Sequence, residues 1–283
     1  MKKAFLVLLA ASVVVGTASF ASAGVIAGNF CSVAQIVDFP AGVNVTPWWN
    51  DLTSPAGFGA NSFDPPNNID GTNPDFKYAD ESDIADAVSL TWNAANGSQN
   101  TNDDITRPAD VPTGHDQMFA GYLQSGKAQA GPLIEFEGSG LSAAFGSNPI
   151  DIFLYSDGDG DVEGSGKATF RIWASKSDYI GGAAALQTVY GKDDGSDYPT
   201  SSHTPANALA DYDEVTSTDP LNPTAGNYVV FSGLDLDSFY IRIDGEASLH
   251  GAALNGFEIV PEPATMSLLA IGGLAALLKR RQS

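Results

Sequence analysis

Asp157, Asp159 and Asp161 alternate with Gly158 and Gly160, and Glu163 follows two positions later. A hard cation needs several oxygens at close range, and the glycines let backbone carbonyls turn in beside the carboxylates, so Ca²⁺ is the ion this spacing suits. The stretch is not an EF-hand loop, because Val162 takes the place of the sixth-position Gly and Ala168 that of the twelfth-position Glu. The same residues also suit a solvated hairpin turn between strands ending at Tyr155 and beginning at Ala168. Two further acidic groups, Asp193, Asp194 and Asp197, then Asp211, Asp213 and Glu214, read as charged, solvated loop.

Trp48 and Trp49 sit side by side between Pro47 and Asn50, where a pair of large rings serves either as a platform for a sugar or as a buried loop anchor. Trp92 and Trp173 fall in strand patterns and read as core, although Trp173 shares a face with Arg171. Catalysis has little support. His115, His203 and His250 stand apart with no metal-binding spacing, and no G-x-S-x-G elbow occurs. Gly164-Ser165-Gly166-Lys167 fails as a phosphate loop, since Asp161 occupies the first Gly position and Ala168 that of the Ser or Thr. Glu135 and Glu137 share one strand face, leaving open a carboxylate pair for glycoside hydrolysis.

These residues must be positioned by a β-rich body. Ile134 and Phe136 alternate with Glu135 and Glu137; Ile150, Ile152 and Leu154 alternate with Asp151, Phe153 and Tyr155; Phe170 and Ile172 alternate with Thr169, Arg171 and Trp173. Tyr228 to Phe231, the run Phe239 to Ile243 and Phe257-Glu258-Ile259 follow the same habit. With Val88 to Trp92 and Leu186 to Tyr190, they make about eight or nine short strands, too close together for helical crossovers. The pattern predicts an all-β fold, an antiparallel β-sandwich of jelly-roll type. A turn or two of helix is expected from Asp80 to Ala87, and a short helix from His115 to Leu123 with Met118, Phe119, Tyr122 and Leu123 on one face. Asn255-Gly256 predicts a tight turn into the closing strand.

The two ends read differently from the body. Lys2-Lys3, the apolar run to Val15 and Ala21-Ser22-Ala23 form a signal peptide (residues 1–23) that signal peptidase would cut after Ala23. At the other end Val260-Pro261-Glu262-Pro263 leads into the apolar run Ala264 to Leu278 and then Lys279-Arg280-Arg281. That run is 15 residues long. As a helix it would span about 22 Å, against about 30 Å of hydrocarbon, and Gly272-Gly273 weakens it further. It suits a transient membrane association, with the basic end holding the neck outside.

The triplet, the apolar run and the basic end resemble the tail of PEP-CTERM proteins. The resemblance implies that an exosortase, an integral membrane transpeptidase, cuts near Pro261-Glu262-Pro263 and hands the protein to the cell surface. A second resemblance covers the later two thirds of the body. It rests on His115-Asp116-Gln117-Met118, the strand Ile150 to Tyr155 with Ser156-Asp157-Gly158-Asp159, Tyr228 to Leu234, and above all Asn255-Gly256-Phe257-Glu258-Ile259-Val260. These segments are similar to the jelly-roll ectodomains that often precede such tails, which are in turn similar in fold to carbohydrate-binding modules. The chain departs from them between 191 and 226, which is long, rich in Asp, Ser, Thr and Pro, and reads as a loop insertion.

Charge narrows the partners. The chain has 13 Lys and Arg against 34 Asp and Glu, a net charge of −21. The two ends take five of the cations but only Glu262 of the acids, so the body is close to −25. Nucleic acid and anionic lipid are poor partners, since binding phosphate needs clustered cations, and divalent cations and neutral or basic polymers are better ones. Cys31 is the sole cysteine, so no internal disulfide forms and stability must come from a core. The domains are therefore 1–23, the ectodomain 24–259 and the sorting segment 260–283. The expected function is that of an exported, exosortase-sorted surface or matrix protein, a non-catalytic binding or structural module whose partner is extracellular polysaccharide. A glycan-processing enzyme and a Ca²⁺-dependent adhesin are the alternatives.

Overall fold

A computed structural model describes residues 24–30, 41–44, 46, 49–51, 67–70, 77–84, 88–95, 98–101, 118–119, 121–124, 133–156, 167–192, 212–245 and 253–262. In chain order the strands are β1 (Ile26–Asn29), β2 (Asn50–Asp51), β3 (Asn67–Asp70), β4 (Ser89–Ala95), β5 (Ser98–Thr101), β6 (Gly121–Gln124), β7 (Leu133–Ser139) and β8 (Ile150–Tyr155). They continue with β9 (Ala168–Trp173), β10 (Gln187–Lys192), β11 (Thr224–Ala225), β12 (Tyr228–Leu234), β13 (Ser238–Gly245), β14 (Ala253–Leu254) and β15 (Gly256–Pro261). Two five-residue helices, α1 (Leu141–Phe145) and α2 (Lys176–Ile180), sit in the connections.

The strands form a five-stranded sheet in the order β12-β8-β15-β1-β2 and a seven-stranded sheet in the order β11-β10-β9-β13-β7-β4-β3, with β14-β6-β5 as a smaller third. Pairing is antiparallel except for β1 with β2 and β10 with β11. From β7 onward the chain passes repeatedly between the two large sheets, as a jelly roll does. The expected antiparallel β-sandwich is therefore the fold.

Period two explains the core. On β7 Ile134 and Phe136 are buried while Leu133, Glu135 and Glu137 are only half-buried, and Phe239, Ile241 and Ile243 of β13 face the same way. The two sheets meet through these rings and branched chains. Phe136 of the seven-stranded sheet lies 4.6 Å from Phe257 of the five-stranded one, and Phe30 lies 5.3 Å from Trp92. Each side chain so enclosed contributes about 1.5–3 kcal/mol. The packing leaves no room at Gly138, where a Cβ would stand 2.3 Å from the Phe239 ring.

A second, smaller core covers the outer face of the five-stranded sheet. Ala27, Phe153 and Tyr155 lie beneath Ala41, Trp49, Met118 and Phe119. Tyr155 is fully enclosed and has the rings of Trp49, Phe119, Tyr212 and Tyr228 about 6 Å away.

Several local expectations are overturned. The helix from His115 to Leu123 gives way from Gly121 onward to β6, which pairs with β5 and β14. Its apolar stripe is real but divided, Met118 and Phe119 packing in the outer core and Leu123 in the main one. Residues 80–84 are a turn, closed by a Lys77–Asp83 bridge and by Asp80 accepting from the Ser82 amide, where helix was expected. Asn255-Gly256 leads into the closing strand as expected, but does so in the interior. Asn255 is buried, its amide donates to the Tyr155 carbonyl, and the bend carries the chain from the three-stranded sheet into the five-stranded one. Within the expected insertion, Gly191 and Lys192 close β10, and Thr224–Ala225 pairs alongside them.

Candidate functional site

The outer face of the seven-stranded sheet carries the polar half of each alternating strand, and register brings these residues into rows. Asn93, Glu135, Arg242, Arg171 and Thr188 stand side by side across β4, β7, β13, β9 and β10. The next row is Thr91, Glu137, Tyr240 and Trp173. On the other side Asp244, Thr169 and Tyr190 form a third.

The charges in these rows compensate one another. Asp244 accepts from Arg242 Nη2 at 2.7 Å and from Arg171 Nη1 at 3.1 Å. Lys176 Nζ, on α2, lies 2.7 Å from Glu137 and 3.6 Å from Glu135. The helix that delivers it is capped by Ser175, whose side chain accepts from the Asp178 amide at 3.2 Å. Tyr240 donates its hydroxyl to Glu135, and Asn93 Nδ2 donates to the other oxygen of that carboxylate at 3.4 Å. The Arg242 guanidinium lies 4.5 Å over the Tyr179 ring. Arg242 Nε and Asn93 Oδ1 are buried without a hydrogen-bond partner.

Burial would raise the Glu135 carboxyl, but the Tyr240 hydroxyl and the Lys176 charge outweigh it and hold the group below its ordinary range. A general acid for glycoside hydrolysis requires the opposite shift. Burial, then Glu135, pushes the Tyr240 hydroxyl far up, so it stays protonated as a donor.

At the β9–β10 edge the third row runs into a half-open cleft of about 110 Å³. Tyr190, Thr169, Lys167, Pro220 and Pro223 are among the residues that line it. The arrangement offers a ring face, two prolines and a field of fixed donors and acceptors, a set that matches vicinal hydroxyls on an apolar ring.

A second polar group is sealed under the outer core. Glu258 of β15 is fully buried and receives Tyr155 Oη at 2.5 Å, Asn44 Nδ2 at 2.8 Å and the Thr46 hydroxyl. No cation faces it among these partners, so burial raises its pKa although the three hydrogen bonds pull the other way. Gly42 makes the approach of the covering loop feasible. Its φ is +80°, and a Cβ there would stand 2.7 Å from Glu258 Oε1.

Of the residues singled out from sequence as ligand or metal sites, only Trp49 lies among the described residues. Trp49, read from sequence as either half of a sugar platform or a buried loop anchor, is 2% exposed with Nε1 bonded to the Thr46 carbonyl at 3.1 Å. It is a loop anchor and offers no ring face. Trp173 is likewise buried, donating to the Ala183 carbonyl at 2.9 Å. Asp157, Asp159, Asp161, Glu163 and Trp48 lie outside the described residues. β8 and β9 belong to different large sheets and so do not pair as a hairpin; the chain that holds the four acids connects one to the other. Among the described residues no group of three or more His, Cys, Asp or Glu is placed to hold a metal.

Of the tail, Pro261 closes β15 opposite Ile150, and the Glu262 amide donates to the Pro149 carbonyl at 2.8 Å. The neck is thus tied to the body as far as Glu262. Ala21, Ala23, Pro263, Lys279, Arg280 and Arg281 lie outside the described residues. Among those described, no helix is long and apolar enough to cross a membrane.

No curated protein matches the chain. Among solved structures it is similar to TmCBM61 in complex with beta-1,4-galactotriose, with 8% identity over 71% of this chain and 92% of that one and a TM-score of 0.30. It is also similar to the CBM36-1 domain of a multidomain xylanase from the hindgut metagenome of Trinervitermes trinervoides, with 11% identity over 60% and 95% of the two chains and a TM-score of 0.24. A third likeness, to the GH115 glucuronidase BtGH115A, has 14% identity over 50% of this chain and 14% of that chain, at a TM-score of 0.27. At these TM-scores the likenesses carry no argument about ligand. The tail is a different matter: residues 260–282 match the PEP-CTERM protein-sorting motif, so this chain carries the sorting signal of that family, which implies exosortase processing and export towards the cell surface or extracellular space.

Proposed function

We propose that the protein is a non-catalytic surface module that binds neutral polysaccharide along the outer face of the seven-stranded sheet. The observation that carries this is the run of compensated polar rows into the Tyr190 cleft. Three cations, Arg171, Arg242 and Lys176, face three carboxylates, Glu135, Glu137 and Asp244, so the face has strong local dipoles without net charge. Hydroxyls both donate and accept, and such a surface satisfies both needs. A polyanion would meet the repulsion of a body near −25. Structural Ca²⁺ in the 157–163 crossing belongs to the same reading, as the counterion for four crowded carboxylates.

Affinity electrophoresis in a panel of soluble neutral and anionic polysaccharides tests the assignment. At least one neutral polymer should retard the protein, and Tyr190→Ala should weaken that retardation about tenfold, the loss of about 1.4 kcal/mol of stacking and contact. Unchanged mobility across the panel would overturn it. Release of reducing ends from any polymer would transfer the site to the enzyme reading.

A further inference from the structure

The end of the sandwich from which the tail departs carries an apolar loop. Ile180 is 74% exposed and Leu186 54%, and Gly181 to Ala184 between them are exposed as well. From Ile180 to Gly191 the chain has no charged residue, in a body with 33 acids. Of the large hydrophobic side chains exposed among the described residues, two of three lie in this loop; the third, Leu221, is at the other end of β9.

Short contacts connect this loop to the tail exit. Gln187 Nε2 donates to the Ser232 carbonyl at 2.7 Å, and the next residue, Gly233, donates its amide to Asp151 at 2.9 Å. A Cβ on Gly233 would lie 3.5 Å from Glu262 Oε1. Glu262 is itself bonded to Pro149, so the tail leaves the body at this place with no slack. Pro263 alone separates it from the apolar run 264–278. Two residues reach at most about 7 Å. A tail inserted in lipid therefore holds this end of the sandwich against the bilayer surface.

We propose that Ile180–Leu186 is a membrane-contact surface, laid on the lipid interface into which the tail inserts. The inference rests on insertion of 264–278 before exosortase processing. The occupant is a zwitterionic headgroup layer, since Asp235 and Asp237 are exposed at the same end and oppose anionic lipid. Contact orients the body and presents the neck to an enzyme embedded in the same membrane.

The test uses the full chain with Cys31→Ser, spin-labelled at Ala184→Cys and reconstituted into phosphatidylcholine vesicles. A second preparation carries the label at Leu221→Cys, a strand length away. The ratio of oxygen to nickel accessibility should be about threefold higher at 184 than at 221, and Ile180→Asp with Leu186→Asp should return it to the aqueous value. Equal ratios at both sites in protein that floats with the vesicles would overturn the inference alone. Protein that fails to float would overturn the tail insertion as well.

Discussion

Glu258 has three side-chain hydrogen bonds and no cation among these partners, a combination that makes folding sensitive to pH in an unusual direction. Its pKa is raised in the folded state, so the folded chain holds the proton more tightly than the unfolded one. Its contribution to stability is full below the ordinary carboxylate value, about 4.3, and is lost as pH rises through the higher folded value. Carboxylates held low by hydrogen bonds, such as Asp237 beside Ser142, act in the opposite sense and lose their contribution as pH falls. Glu258→Gln isolates the first effect. The amide still accepts from Tyr155 and Asn44 while donating to Thr46, so unfolding free energy measured from pH 4 to 8 should decline less for the variant than for the parent. Parallel curves would show that the carboxyl titrates normally. Glu258→Ala, which leaves these donors without an acceptor, should cost about 1–3 kcal/mol. The sequence shows Glu258 between Phe257 and Ile259, on the face opposite the core. Nothing in that alternation tells that Gly42, Asn44 and Thr46 cover it, because a cover supplied from two hundred residues away leaves no local mark.

At the scale of elements, Gly138 is where two strands meet most tightly. Gly138→Ala would press a methyl into the Phe239 ring, itself packed 5.1 Å from Phe136, and should cost about 1–3 kcal/mol of overpacking. Urea unfolding should show a lower midpoint with an unchanged slope, and an unchanged midpoint would mean that β7 and β13 are looser than described. The strands β7, β8, β9, β12, β13 and β15 were legible in the sequence because side chains of the main core recur at every second position, although on β8 and β15 the other face is buried too, under the outer core. Their register was not. That Glu135 stands between Asn93 and Arg242 follows from pairing across residues far apart, and it is this pairing that makes the candidate site. The segment 115–123 shows the converse limit: its apolar spacing fits a helix, but β5 and β14 supply edges whose hydrogen bonds win over local preference from Gly121 onward. For Trp48-Trp49 the sequence left a sugar platform and a buried anchor both open, and the ring of Trp49 packs in the outer core as an anchor does.

For the whole molecule, a body near −25 with eight cations works against its own compactness. Any salt should raise its melting temperature by screening. CaCl₂ should raise it further than NaCl at matched ionic strength, and Asp159→Ala should remove that excess, as calorimetry would register. Equal melting in the two salts would leave the 157–163 crossing without a bound ion. The C-terminal tail was the most legible part, since its sorting motif is a short, contiguous segment that needs no tertiary contact to be read.

The position of β15 carries one more consequence. It is the last strand before the tail, and it lies inside its sheet, paired with β8 along six residues and with β1 along four. A force applied through the tail, from a tether or from the machinery that grips it, runs along this strand and loads both flanking ladders at once in shear. An edge strand would peel away bond by bond; this one must break its bonds together. The body is therefore fastened mechanically at the point where it is handed over, and a pull on its terminus is resisted by the centre of a sheet.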